Sequence, residues 1–173
     1  MPVGNLEFIK SGSVTGATSL SITDCFNADY DVYKIVVRNF DIETTSNFDL
    51  EMRFLDSGGS PITASNYDNA HLVLTAYGAF GEGRQTNTTR LTGLGRDEQA
   101  SGNGTVLYAF NPYSASSYSF TLSQGNGFVT GSGLVGYKGI GVLKQTATMT
   151  GIQLFATNQT DNVNINCSVY GVK

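Results

Sequence analysis

Strict alternation of apolar and polar residues runs through FDLEMRF, residues 48–54. Phe48, Leu50, Met52 and Phe54 project one way, and Asp49, Glu51 and Arg53 the other. VNINCSVY, residues 163–170, repeats the pattern with Val163, Ile165, Cys167 and Val169. Successive side chains of an extended chain point to opposite sides, so each stretch predicts a strand with one dry and one wet face. TSLSIT (18–23) and SYSFTL (117–122) predict the same, with Leu20 and Ile22, then Tyr118, Phe120 and Leu122, on the dry side. YKIVV (33–37), HLVLTAY (71–77), TVLYAF (105–110) and TGIQLFA (150–156) are more continuously apolar, the mark of strands covered at least in part on both faces. No segment carries a helical period of useful length. NYDNAHLVLTAY (66–77) comes nearest, and its β-branched and aromatic residues favour a strand.

Turn signals separate these runs: FNADYD (26–31), SGG (57–59), NPYSASS (111–117), SQGNG (123–127) and TNQTDN (157–162). Glycine supplies positive φ, and Asn or Asp bonds its own backbone, which is why such residues collect in turns. With 21 Gly, 3 Pro and a charged fraction of only 14%, the composition suits strands joined by tight turns. The count is eight or nine strands at even spacing, the pattern of an all-β antiparallel sandwich or barrel. A chain of 173 residues suits one domain. Residues 18–173 are expected to form it, and residues 1–17 an N-terminal arm or edge strand containing LEFI (6–9). No repeat of 20 to 50 residues is visible. Two glycine-rich regions, 78–104 and 132–146, break the rhythm and read as long loops, which tend to be functional.

The net charge is −4 and the ten Lys and Arg are scattered singly, so there is no basic patch to attract nucleic acid. No apolar run approaches the ~20 residues that span a bilayer. The opening MPVGNLEFIKSG lacks a basic region followed by an apolar core, so synthesis in the cytosol is the expectation. Cys25 and Cys167 lie near opposite ends of the chain. If the first and last strands are neighbours, a bridge between them would close a long loop, worth about 4 kcal/mol in the entropic account. Cytosolic synthesis argues against it, and both read as small buried apolar residues.

Candidate chemistry is sparse. Asp24, Asp29 and Asp31 beside Cys25 invite a calcium reading, but their spacing is not that of an EF-hand loop and they read as turn residues. Cys25 has no basic neighbour to lower its pKa. His71, the only histidine, would have to serve any triad or imidazole metal site. It is placed opposite Leu72 and Leu74, with Asp68 nearby, and reads as a surface or interface residue. GYKGIG and GEGR lack the G-x-x-x-x-G-K-[ST] spacing of a phosphate loop, and Asp97 and Glu98, adjacent in sequence, point apart in extended chain. No catalytic, cofactor-binding or metal residue is therefore expected. Tyr77, Tyr113 and Tyr137 sit beside turns, where tyrosine often serves contacts between chains or with ligands.

YDVYKIVVRNF (30–40), FDLEMRFLDSGGSPI (48–62) and the closing VNINCSVYGVK resemble segments of small structural proteins of tailed bacteriophages, especially marine ones. In that group a D-x-Y-x-I strand is followed by a strand ending R-F-L-D-S-G-G, and the chain finishes in V-Y-G-V/I-K. FNPYSASSYSF (110–120) is similar to the group's central strand pair. The resemblance implies a jelly-roll-like antiparallel β-sandwich on the virion, a homo-oligomer and often a trimer, and it supplies no catalytic residue. The expected function is non-enzymatic: a capsid decoration or cement protein that binds the major capsid protein or another virion protein and stabilises the shell. A tail appendage or receptor-binding protein recognising a host-surface glycan is the alternative. A hydrolase on a β scaffold is disfavoured by the single His and the lack of a paired-carboxylate motif. Aromatic residues and arginine are enriched at interfaces, so Phe80, Arg84, Arg90, Leu134, Tyr137 and Ile140, from the two irregular regions, are the candidate contacts.

Overall fold

Four nested antiparallel pairs make the frame. β1 (Leu6–Ala17) pairs with β12 (Val163–Val172), and β2 (Ser19–Ile22) with β11 (Gly151–Ala156). Inside these, β3 (Val32–Ile42) pairs with β8 (Thr105–Phe110), and β4 (Phe48–Leu55) with the short β7 (Arg96–Asp97). First-with-last nesting of this kind, divided between two facing sheets, is a jelly roll. The computed structural model describes residues 5–43, 48–97, 103–129 and 133–173. Glu98, paired with Asp97 in the sequence reading, lies outside them.

Two further hairpins are inserted into this frame. β5 (Tyr67–Thr75) and β6 (Gly81–Thr88) fall between β4 and β7, and β9 (Ser119–Val129) and β10 (Gly133–Leu143) between β8 and β11. All four inserted strands join the same sheet. The result is an eight-stranded sheet, β1-β12-β3-β8-β9-β10-β5-β6, facing a four-stranded one, β2-β11-β4-β7. The described residues thus hold twelve strands instead of the eight or nine that alternation alone predicts. The additional ones were hidden by glycine. The 132–146 region contains β10, and SQGNG, read as a turn, lies within β9. The 78–104 region contains β6 and β7, with residues 91–95 laid along β4 between them.

The main core sits where the eight-strand frame faces itself. Tyr33, Ile35 and Val37 of β3, Leu107 and Ala109 of β8, and Ile165, Cys167 and Val169 of β12 meet Leu20 and Ile22 of β2, Leu50, Met52 and Phe54 of β4, and Ile152 and Leu154 of β11. These are the apolar registers of the alternating segments. Two buried phenols are satisfied, as burial requires. Tyr67 Oη accepts from the Phe54 N–H at 3.1 Å and donates to the Ile62 carbonyl at 3.2 Å. Tyr33 Oη donates to the Asn27 carbonyl at 2.7 Å and accepts from the Asn27 N–H at 2.7 Å. That tyrosine pins the turn holding Asp24, Asp29 and Asp31, where Asp24 takes the left-handed conformation at φ 50°. Cys25 and Cys167 are free thiols in the same core, and burial pushes both up to about 12.

Over the inserted strands the sheets come much closer. A Cβ at Gly127 would run into the Arg96 carbonyl, and one at Gly125 into the Leu94 carbonyl. Gly136 of β10 is the contrast: a Cβ there meets nothing nearer than 3.7 Å. Gly127→Ala is therefore expected to lower stability by about 1–3 kcal/mol or more, because backbone must shift to admit it. Gly136→Ala is expected to be neutral or slightly stabilising. Urea unfolding of the two variants beside the parent checks this, and equal midpoints would contradict the close approach.

Candidate interaction surface

The close approach decides which way β9 and β10 turn their side chains. Residues 91–95 bond along β4: the Met52 N–H donates to the Leu91 carbonyl at 3.0 Å, the Leu91 N–H to the Met52 carbonyl at 2.9 Å, and the Leu50 N–H to the Gly95 carbonyl at 2.8 Å. This segment then lies with its backbone directly on the inserted strands, and Thr105 Oγ1 donates to the Leu94 carbonyl at 2.8 Å. Only small side chains fit beneath it. The covered register of β9 is Ser119, Thr121, Ser123, Gly125 and Gly127, and that of β10 includes Gly139 and Gly141. At Gly141 a Cβ would lie 2.5 Å from Leu91 Cδ2.

A period of two leaves no choice for the other register. Phe120 and Leu122 point outward, the reverse of the side predicted from SYSFTL, and Phe120 is 48% exposed. Leu72 and Leu74 of β5, predicted to be covered, are exposed as well. Strand pairing arranges these residues in rows across the outer face. One runs Tyr108, Leu122, Ile140, Ala70, Arg84; the next runs Val106, Gln124, Lys138, Leu72, Glu82. Further along, Phe128 is opposite Leu134. A groove of about 500 Å³ crosses the face between Phe120, Ile140 and Arg84.

The six candidate contacts divide between the two sides of the sheet. Ile140, 63% exposed, and Leu134, 57% exposed, stand on the outer face with Arg84. Phe80 is exposed in the β5–β6 turn. Tyr137 is not available to a partner, since it is 3% exposed and lies between the sheets. Arg90 also turns inward, its Nε 2.5 Å from Glu51 Oε2. Phe120, Leu122, Leu72 and Leu74 complete the outer face, and the sequence reading did not single them out. Alternate glycines at 125 and 127 and at 139 and 141 were the available signal, because in a strand they mark close backbone approach.

Between the sheets, beneath this face, lies a polar cluster. Arg96 Nε donates to Asp49 Oδ1 at 2.6 Å, and Tyr137 Oη donates to the same oxygen at 3.4 Å. The His71 ring is 5.7 Å from that of Tyr137. His71 is thus half-buried among these groups and is not a surface residue; burial lowers its pKa, with Asp49 acting in the opposite sense. Its Nδ1 is buried without a hydrogen bond. Asp49 is committed to Arg96, so the arrangement ties β4 and β7 to β10. Among the described residues, no three His, Cys, Asp or Glu side chains gather as a metal site.

Glu51, predicted to be wet, is 2% exposed under the covering segment. Burial pushes its carboxyl up to about 7; Arg90 works against that, and Asp49 reinforces it.

No family model matches the chain, and no curated protein matches it. Among solved structures it is similar to a Clostridium perfringens CspB protease at 13% identity and a TM-score of 0.16, over 91% of this chain and 26% of that one. The chain thus spans about a quarter of the protease's length, and a score that low carries no argument about fold or activity.

The Glu51 environment has a measurable consequence. A carboxyl raised in the folded state favours folding while protonated, and that contribution is lost as pH rises from the unfolded value near 4.5 through about 7. His71, lowered on folding, contributes with the opposite slope below its ordinary value near 6.5. Glu51→Gln removes only the first effect. Its melting temperature relative to the parent is expected to rise by a few degrees between pH 5 and pH 8, where a constant difference would show that Glu51 titrates normally.

Proposed function

We propose that this chain is a non-enzymatic structural protein of a bacteriophage virion, a capsid decoration (cement) protein that binds and stabilises the assembled shell. The observation that carries the reading is the apolar outer face of β9, β10 and β5. Leu72, Leu74, Phe120, Leu122, Leu134 and Ile140 stand there exposed among the described residues, and an apolar patch of this kind marks an interaction site. The jelly-roll frame supports it, since that architecture recurs in viral capsid proteins, although lectin domains share it. The phage-like segments fall on the frame itself: YDVYKIVVRNF runs into β3, and FDLEMRFLDSGG forms β4 and the turn after it. The rival glycan reading is the less favoured one, because the large exposed side chains of the outer face are mostly aliphatic. A protein of this kind is made in the host cytoplasm and resides on the virion.

The experiment is to add the purified protein to shells of the source phage assembled without it. Near-stoichiometric addition at regular lattice positions, with a raised melting temperature of the shell, is the expected outcome. Bare shells, together with binding to host cells that free sugar abolishes, would replace this reading with the receptor-binding one.

A further inference from the structure

We infer that the outer face of β9, β10 and β5 is covered by a second copy of this chain. This rests on the assembly reading above and names the partner of its central surface.

Area is the first argument. Leu72, Leu74, Phe120, Leu122, Leu134 and Ile140 are each between 39% and 63% exposed. Taking a large apolar side chain at roughly 200 Å², they leave on the order of 600 Å² of apolar surface in water. That reaches the upper end of the largest patch on an ordinary monomer, about 300–600 Å². Half-buried Tyr108, Val142 and Ala70 extend it in register. Together they approach the ~800 Å² that each partner contributes to a stable standard-sized interface.

Charge is the second argument. Lys138 stands within the face, in register with Leu72 and then Glu82, and Arg84 follows Glu82 on the same side of β6. None of these three forms an ion pair among the described residues. A strongly acidic or strongly basic partner would leave one sign unmatched. A copy of the same face carries both, and Glu82 of one chain meets Arg84 or Lys138 of the other. Surfaces that bind themselves need this self-complementarity.

Topology is the third. The eight nested strands complete a jelly roll without β5, β6, β9 and β10. Along the middle of β9 and β10 the register turned toward their own chain is Ser119, Thr121, Ser123, Gly125, Gly127, Gly139 and Gly141, while Phe120, Leu122 and Ile140 stand outside. Val129, Val135, Tyr137 and Leu143 are buried toward the strand ends and beneath the face. Face against face is a two-fold contact, so the inference is of a symmetric pair at this surface.

Sedimentation of the purified full chain across the micromolar range is the test, with Ile140→Asp and Leu134→Asp on the face and Tyr113→Asp, in the β8–β9 turn, as control. The expected result is an oligomer that Tyr113→Asp leaves intact and each face variant weakens by roughly 30-fold or more, the size of a hot-spot loss. Far-ultraviolet circular dichroism should be unchanged, because both face positions are exposed. Ile140→Thr keeps a β-branched residue and should weaken association less than the aspartate does.

A monomeric parent overturns the inference, as does an oligomer indifferent to both face variants. A monomeric parent that still adds to shells, and fails to do so as Ile140→Asp, assigns the face to a shell protein. That outcome overturns self-association and leaves the assembly reading standing. Self-association without any addition to shells does the reverse.

Discussion

The molecule is organised around a contact between two stretches of backbone. Where Leu94 and Arg96 present their carbonyls to Gly125 and Gly127, there is no room for a single added carbon. Sheets in a sandwich ordinarily stand about 10 Å apart, separated by interdigitating side chains. Here the covering segment settles onto the inserted strands instead. Once it does, β9 must turn its Ser, Thr and Gly register inward, and Phe120 and Leu122 have only the outside left to them. The outer face follows from the inner contact.

The covering segment is held by backbone hydrogen bonds to β4, by buried Leu91 and Leu94, and by two ion pairs. Arg90 reaches Glu51, and Arg96 reaches Asp49, which also accepts from Tyr137 of β10. A buried pair of this kind adds little net stability, since desolvation offsets most of the Coulomb attraction. Losing one partner is a different matter, because the other charge is left uncompensated. The arrangement therefore fixes the register of residues 90–96 along β4 while contributing modestly to the total. Leu91 and Leu94, both buried, supply the apolar part.

The frame was legible in the sequence, and the face only in part: Leu134, Ile140 and Arg84 were named as contacts, while Phe120, Leu122, Leu72 and Leu74 were not. In β4, Leu50, Met52 and Phe54 lie inside as their alternation predicts, and Ile165, Cys167 and Val169 do the same in β12. Alternation reports a period, but which register is buried depends on what packs against the strand. For β4 and β12 the two questions have the same answer, since the facing sheet brings large side chains. For β9 they do not. Its facing element is residues 91–96, some thirty positions away, and that element brings backbone. Gly139 and Gly141 concealed β10 for the same reason: glycine within a strand looks like a turn until the chain lying across it is known. Tyr137 and Glu51 were misplaced by the same missing piece, as both lie under or beside the covering segment.

An exposed apolar sheet invites indiscriminate association, and this chain limits the ways it can occur. β6, the free edge beside the face, is GEGRQTNT, too polar to template pairing by another apolar strand. Lys138 interrupts the apolar rows and must find an acidic or hydrogen-bonding partner whenever the face is covered. The net charge of −4 keeps copies apart at long range without opposing a close contact in which opposite signs meet. Under the proposed assembly, these features suit a surface that is covered once, in one register.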